Sequence, residues 1–267
     1  MEVSADSLTL PPLPLDSAPQ PQKATESVRN PFSREFLSQY ELVRLLGAGS
    51  AGSVYLMRQS RLDRLVAVKV LKNSLTDGEN RRFVQEARVI AKLNHASIRA
   101  IYDVGVDREL PFMVCEYVDG PTLSQMLKEK GPPPLEHALR MAVAILDGLD
   151  LAHRQKVIHR DLKPANILVA ASTHPKIADF GLARAETGAS IDTITGSLAG
   201  TPKYMAPEQC EGLPVTPSTD IYSVGIVLFE LLTGRVPFNV QRGDPMSWME
   251  AQLSETPKTV RSVKPDL

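Results

Sequence analysis

The sequence predicts an α+β protein in which a small antiparallel β-sheet with one helix precedes a mainly helical second half. Three observations carry this. From Tyr40 the chain runs through short apolar stretches punctuated by glycine, Leu42–Leu46, Ser53–Met57 and Leu65–Leu71, the pattern of a β-meander. Further along, apolar residues return at helical spacing, with Ala138, Ala142, Ile145, Leu149 and Ala152 on one face and Ile221, Val224, Leu228 and Leu231 on another. Finally, 43% hydrophobic and 23% charged residues in a chain of 267 suit a packed core and exclude a rod or wholesale disorder.

Residues 1–38 form a separate arm, rich in proline (Pro11-Pro12-Leu13-Pro14, Pro19, Pro21, Pro31) and without apolar period, so a flexible linker is expected. The folded part is residues 39–267. Gly47-Ala48-Gly49-Ser50-Ala51-Gly52 joins the first two strands. Thr76-Asp77 opens a helix whose stripe is Phe83, Ala87, Ile90 and Ala91, with Glu86 beside it. Strands over Ile101–Val106 and Phe112–Tyr117 follow, and helices take over after them.

Several function classes drop out early. A net charge of -1 gives no basic field, so a nucleic-acid partner is not expected. Cys115 and Cys210 cannot build a disulfide framework and stand in no zinc spacing, which fits a reducing, cytoplasmic setting. The most apolar stretch, Ile221–Leu232, is broken by Ser223, Gly225 and Glu230 and is too short to span a bilayer. The start Met1-Glu2-Val3, with Asp6, lacks the pattern of a secretory signal.

Four segments suggest chemistry. The glycine-rich turn leads into a strand, not a helix, which argues against a dinucleotide-binding turn or a Walker loop and leaves a backbone cover for a polyphosphate. On the strand Val66-Ala67-Val68-Lys69-Val70, alternation puts Lys69 on the face of Ala67 and Leu71, toward an interior or a ligand. A carboxylate bordering a buried stripe needs a cation, so Glu86 is the expected partner of Lys69. The polar block His159–Asn166 lies between two apolar runs, as catalytic loops do. There Asp161 suits a hydroxyl, Lys163 a transferring phosphoryl group, and Asn166 a hard cation. Asp179-Phe180-Gly181 adds a second oxygen ligand, so Asn166 and Asp179 together suit magnesium and nucleotide phosphates.

In order and spacing, Gly47/Gly49/Gly52/Val54, Lys69, Glu86, His159-Arg160-Asp161 with Asn166, Asp179-Phe180-Gly181 and Ala206-Pro207-Glu208 resemble the eukaryotic-type (Hanks-type) protein kinase family. Asp161 to Asn166, with Gly200-Thr201 ahead of Ala206, resembles the serine/threonine kinases and most of all their bacterial members. The resemblance implies a bilobal protein-kinase-like fold, an N-lobe over 39–116 and a C-lobe over 117–267. It implies ATP between the lobes with Mg2+, or Mn2+ in its place. The adenine would lie against Val54, Ala67 and Leu168, with its edge on the backbone from Glu116 to Val118 and Cys115 as gatekeeper. Gly47, Ala48, Gly49, Ser50 and Gly52 would cover the phosphates, Lys69 would hold them, and Asn166 and Asp179 would hold the metal. Asp161 and Lys163 would serve the transfer to Ser/Thr hydroxyls of protein substrates.

Arg160 beside Asp161 further implies an activation segment ordered by phosphorylation. Thr193 and Thr195 are the candidates there, modified in trans within a transient homodimer. Family domains continue beyond the equivalent of Leu267 with two more helices, one bearing an arginine for the glutamate that corresponds to Glu208. Its absence here points to a truncated C-lobe and to a competing reading, a catalytically impaired module that binds nucleotide or scaffolds a partner.

Overall fold

The strands Tyr40–Ala48 (β1), Gly52–Gln59 (β2) and Arg64–Leu71 (β3) form the expected antiparallel meander. They lie in a computed structural model that describes residues 31–49, 52–72, 76–170, 174–180 and 202–267. The helix Asp77–Ile90 (α2) follows, and then Ile101–Asp107 (β4) and Leu110–Glu116 (β5). The five strands are ordered β1-β2-β3-β5-β4, so the meander does not continue through β4. Burial explains the exchange. All five interior residues of β5, Pro111 to Cys115, are buried, whereas β4 is half exposed and takes the edge.

Cross-strand partners share a face, and the register sorts the sheet into two. Val54 faces Lys69, Leu56 faces Ala67, and Lys69 and Ala67 face Met113 and Cys115. This face looks toward α2 and the helical half, and its Met113 and Cys115 join the main core. The opposite face carries Tyr55, Met57, Val66, Val68, Val70, Phe112 and Val114.

That second face is covered by residues the arm was expected to contain. Arg34–Gln39 (α1) is a helix capped by Ser33, whose hydroxyl accepts from the Phe36 N–H at 3.0 Å. Phe32 stacks on Phe36 at 4.7 Å between centroids, and Phe36 meets Phe112 edge-on at 4.8 Å. The Ser33 N–H also donates to the Asp107 carboxylate at 2.7 Å. The boundary at residue 38 is therefore corrected to about 31, where the packed unit starts at Phe32. The signal was present in the spacing Phe32, Phe36, Tyr40, but it spans barely two helical turns and is too short for a periodicity to stand out.

The helical half comprises Leu123–Lys130 (α3), Leu135–Arg154 (α4), Pro207–Cys210 (α5), Pro217–Thr233 (α6), Pro245–Ser254 (α7) and Val260–Val263 (α8). It also holds the hairpin Ile167–Val169 (β6) with Pro175–Ile177 (β7). All five predicted residues of α4 are buried. Helix α6 departs from expectation, for Ile221 is 49% exposed while Ser223, Ile226, Val227 and Phe229 are buried with Val224 and Leu231. It runs through the middle of the lobe and is covered on most of its circumference, so a single stripe does not describe it.

Asp220 makes that central position useful. It is 1% exposed, and its carboxylate accepts from the backbone N–H of His159 at 2.8 Å and of Arg160 at 2.9 Å, and from His153 Nε2 at 2.7 Å. It thereby fixes the start of the loop that holds Asp161.

Two stability measurements check these assignments. Phe36→Ala should lower the unfolding free energy by about 3 kcal/mol, while Val43→Ala, at a 49% exposed position, should stay within about 0.5 kcal/mol. Asp220→Ala orphans three donors at about 1–3 kcal/mol each, so a loss of at least about 3 kcal/mol is expected in urea denaturation. Asp220→Asn, which keeps one acceptor oxygen, should lose clearly less, and a loss below about 1 kcal/mol for the alanine variant would refute the anchor.

Candidate active site

Each site residue is held by the element that carries it or leads into it. On β3, Lys69 stands opposite Val54 of β2 and projects toward the helical half. Its ammonium lies 3.0 Å from the Asp179 carboxylate, and both side chains are partly shielded, 16% and 33% exposed. Glu86 was the expected partner and is not within ion-pair distance. It is exposed on α2 and shares the wall of a cavity with Val89, Ile90, Arg160 and Phe180. The expectation assumed a buried carboxylate. Glu86 lies just off the buried stripe of Phe83, Ala87 and Ile90, so water solvates it and no cation is required.

Asp179 carries opposing influences. Burial is the largest and by itself would push its carboxyl upward, but the Lys69 ammonium and the Arg99 guanidinium outweigh it and hold Asp179 below the usual carboxylate range. Its backbone is left-handed, φ 57°, as is that of Arg160, φ 68°. Non-glycine residues adopt this region at a cost of roughly 1–3 kcal/mol and keep it only where the surroundings enforce it. For Arg160 the enforcement is visible: Asp220 takes its N–H and Gln209 Nε2 donates to its carbonyl at 2.7 Å.

After Arg160 the loop assembles the remaining groups. Lys163 Nζ is 2.8 Å from Asp161 Oδ2, and Asn166 Nδ2 donates to the same oxygen at 3.0 Å and to the Asp161 carbonyl at 2.8 Å. Asn166 ends the 3-10 turn Pro164–Asn166 that leads into β6, and its carbonyl accepts from the Ala178 N–H at 2.8 Å. The hairpin therefore places Asn166 beside the segment that carries Asp179. His159 is fully buried. Its Nε2 lies 2.9 Å from the Ala178 carbonyl and its ring packs against Phe180 at 4.7 Å, which ties the two loop segments together from behind.

The donor set fits a hard divalent metal ion. Among the described residues no three His, Cys, Asp or Glu side chains form a ready-made metal cage, and an ion that keeps waters and phosphate oxygens in its shell does not use one. Asn166 spends its amide N–H groups on Asp161, so the atom it has left to offer is Oδ1, a hard oxygen. Asp179 supplies the carboxylate.

Around this centre, Ala67 and Val118 are buried and Val54 and Leu168 half-buried. Leu168 bridges to Thr122 ahead of α3. Glu116 ends β5; its N–H donates to the Ala100 carbonyl at 2.9 Å and its carboxylate pairs with Lys176 of β7 at 3.0 Å. A Cβ at Gly47 or Gly49 would meet nothing within 4 Å, so these glycines answer to no packing demand. Gly52 differs, for a Cβ there would stand 2.1 Å from the Val70 carbonyl oxygen, and this glycine is required by the sheet itself. Ser50, Gly181, Thr193, Thr195 and Gly200-Thr201 lie outside the described residues.

Residues that the sequence reading missed act through others. Asp220 and Gln209 hold the loop backbone, and Gln209 also accepts from the Ala206 N–H at 3.1 Å. An acidic residue at the start of an otherwise apolar helix was the available signal for Asp220. Glu208 accepts from the Thr219 hydroxyl at 2.5 Å and is only half-buried, so a hydroxyl serves the carboxylate for which the family resemblance implies an arginine.

The comparisons agree with this geometry. Residues 40–265 match the protein kinase domain family. The chain is 42% identical over 213 residues to the serine/threonine-protein kinase PknL of Mycobacterium tuberculosis, covering 79% of this chain and 53% of PknL. It is 43% identical over 206 residues to PknB of Mycobacterium leprae, covering 75% of this chain and 33% of PknB. With PrkC of Bacillus subtilis it shares 38% over 232 residues, 86% of this chain and 36% of PrkC. The chain thus spans about half or less of the length of these relatives. No helix among the described residues is long and apolar enough to cross a membrane. With the lobes, the paired Lys69 and Asp179, and the Asp161 loop all in place, the chain belongs to the protein kinase domain family.

Proposed function

We propose that the chain is a serine/threonine protein kinase unit that transfers the γ-phosphoryl group of ATP to Ser/Thr hydroxyls of proteins, with magnesium as its metal. The observation that carries this is the convergence of Lys69 and Asp179 with Asp161, Lys163 and Asn166 through the hydrogen bond between Ala178 and Asn166. Asp161 receives the acceptor hydroxyl and takes its proton as the new O–P bond forms and the bond from the γ-phosphorus to the bridging oxygen breaks, releasing ADP. Lys163, already beside Asp161, neutralises charge on the phosphoryl group in flight. The open faces of Gly47 and Gly49 leave room for phosphates beneath the turn. Asp179 and Asn166 would hold the metal, which screens the phosphate charge.

Catalysis requires Lys69 to exchange Asp179 for the phosphates, with Glu86 then turning inward on α2 to steady it. The buried thiols Cys115 and Cys210 suit a cytoplasmic site of action. Thr193 and Thr195 are proposed as sites of autophosphorylation in trans, in a transient homodimer.

Purified chain incubated with γ-labelled ATP and magnesium should label Ser/Thr of a protein acceptor. Asp161→Asn should lower the rate by a factor of about 10²–10⁴. Equal labelling by both would refute the assignment of Asp161, and nucleotide binding without transfer by wild type would favour a binding module instead. After phosphatase treatment, Thr193→Ala/Thr195→Ala should fail to regain activity on preincubation with ATP, whereas wild type recovers; full activity in the double variant sinks the activation proposal.

A further inference from the structure

Beyond the charge it directs at Asp179, Arg99 has no part in the roles assigned above, yet it occupies the rear of the cleft. It stands between α2 and β4, where its backbone N–H donates to the Ile177 carbonyl at 2.9 Å and its Nε–H donates to the Glu116 carbonyl at 2.8 Å. Backbone and side chain are therefore fixed at once. The half-buried Arg99 lines a small space with Met113, Cys115, Ile177 and Asp179. Only about 10 Å³ remains there, enough for one water at most. Its charge reaches both Cys115 and Asp179.

A guanidinium among Ile101, Met113 and Ile177 is costly to desolvate. Two features offset that cost, the Glu116 carbonyl and the carboxylate of Asp179. What it accomplishes follows from size. Cys115 is a small side chain at the end of a buried strand, and a small residue there leaves a hollow behind it. Arg99 fills that hollow to the last water.

We propose that Arg99 closes the rear of the nucleotide cleft and makes the site selective for a purine whose exocyclic amino group is unsubstituted. The inference deepens the nucleotide reading above and rests on it. The Glu116 carbonyl has two lone pairs; Arg99 takes one, and the other is left for the amino group of the base. A substituent on that nitrogen has only the Cys115–Arg99 wall to enter. Selectivity here comes from the bulk of the side chain, which a neutral side chain of similar length would also supply.

The test is calorimetric titration of the full 267-residue chain with ADP and with N6-benzyl-ADP, both with magnesium. Wild type should prefer ADP. Arg99→Ala should shrink the ratio of the two dissociation constants by about tenfold or more, the scale on which a pocket discriminates by shape. Arg99→Met, which restores length without charge, should keep the ratio near that of wild type. If the alanine chain does not fold, Arg99→Val reads the same ratio. An unchanged ratio in the shortened variants overturns the proposal, as does an equal loss in Arg99→Met, which would make charge decisive. Failure of wild type to bind ADP overturns the nucleotide reading itself, and this inference with it.

Discussion

A carboxylate in the middle of the helical lobe sets the shape of everything above it. Asp220 sits where water does not reach, and burying such a group uncompensated is expensive by several kcal/mol. Its three hydrogen bonds offset that cost, and two of the donors are backbone N–H groups of consecutive residues, His159 and Arg160. Consecutive amides converge on one acceptor only if the chain turns sharply, and the left-handed Arg160 is that turn. The strain in the loop and the desolvation of the carboxylate are thus compensated by the same bonds. Asp161 emerges from this turn, so its direction is set by α6, an element with which it shares no sequence neighbourhood.

A second constraint is charge balance in the cleft. Asp179 faces two cations, Lys69 and Arg99, and both belong to the sheet half, while Asp179 follows the hairpin of the helical half. Attraction between them draws the halves together across the site. In this arrangement Lys69 spends its charge on Asp179 and Glu86 stays in water. One cation with two alternative carboxylates is a simple selector. Whatever anion enters the cleft competes with Asp179 for Lys69, and the position of α2 decides whether Glu86 is within reach.

The fold was legible wherever a period repeats long enough. The strands β1 to β3, α2 with its Thr76–Glu79 capping box, and the buried face of α4 all follow from spacing in the chain. Where the period is short or the burial two-sided, legibility fails. Helix α1 has too few turns, and α6 is covered on too many sides. The site shows the same division. Asp161, Lys163 and Asn166 are close in sequence and were expected together. The pairing of Lys69 was misjudged because a sequence gives the type of a carboxylate but not its exposure, and exposure decides whether Glu86 needs a cation. Asp220 and Arg99 escaped because the hydrogen bonds that set their positions run mostly to backbone atoms, which every residue carries and no motif marks.

The seam between the halves explains why such backbone partners matter. Ser97 to Ala100 runs beside β7, with the Ile177 N–H on the Ser97 carbonyl at 2.8 Å and the Arg99 N–H on the Ile177 carbonyl at 2.9 Å. Ser97, 1% exposed, adds a hydrogen bond between its hydroxyl and His174 Nε2 at 3.0 Å. Glu116 completes the joint, bound to Ala100 on the sheet side and to Lys176 on the other. Gly148 of α4 lets this seam approach closely, since a Cβ there would already touch Ser97, Ile98 and Ile177 at 3.3–3.4 Å. Residues 97–100, Arg99 among them, thus tie the sheet half to the hairpin of the helical half through backbone atoms. The rear of the cleft is held from both sides, and Arg99 is fixed there by its backbone N–H on Ile177 and its Nε–H on the Glu116 carbonyl at once, so the position of its side chain follows from the joint itself.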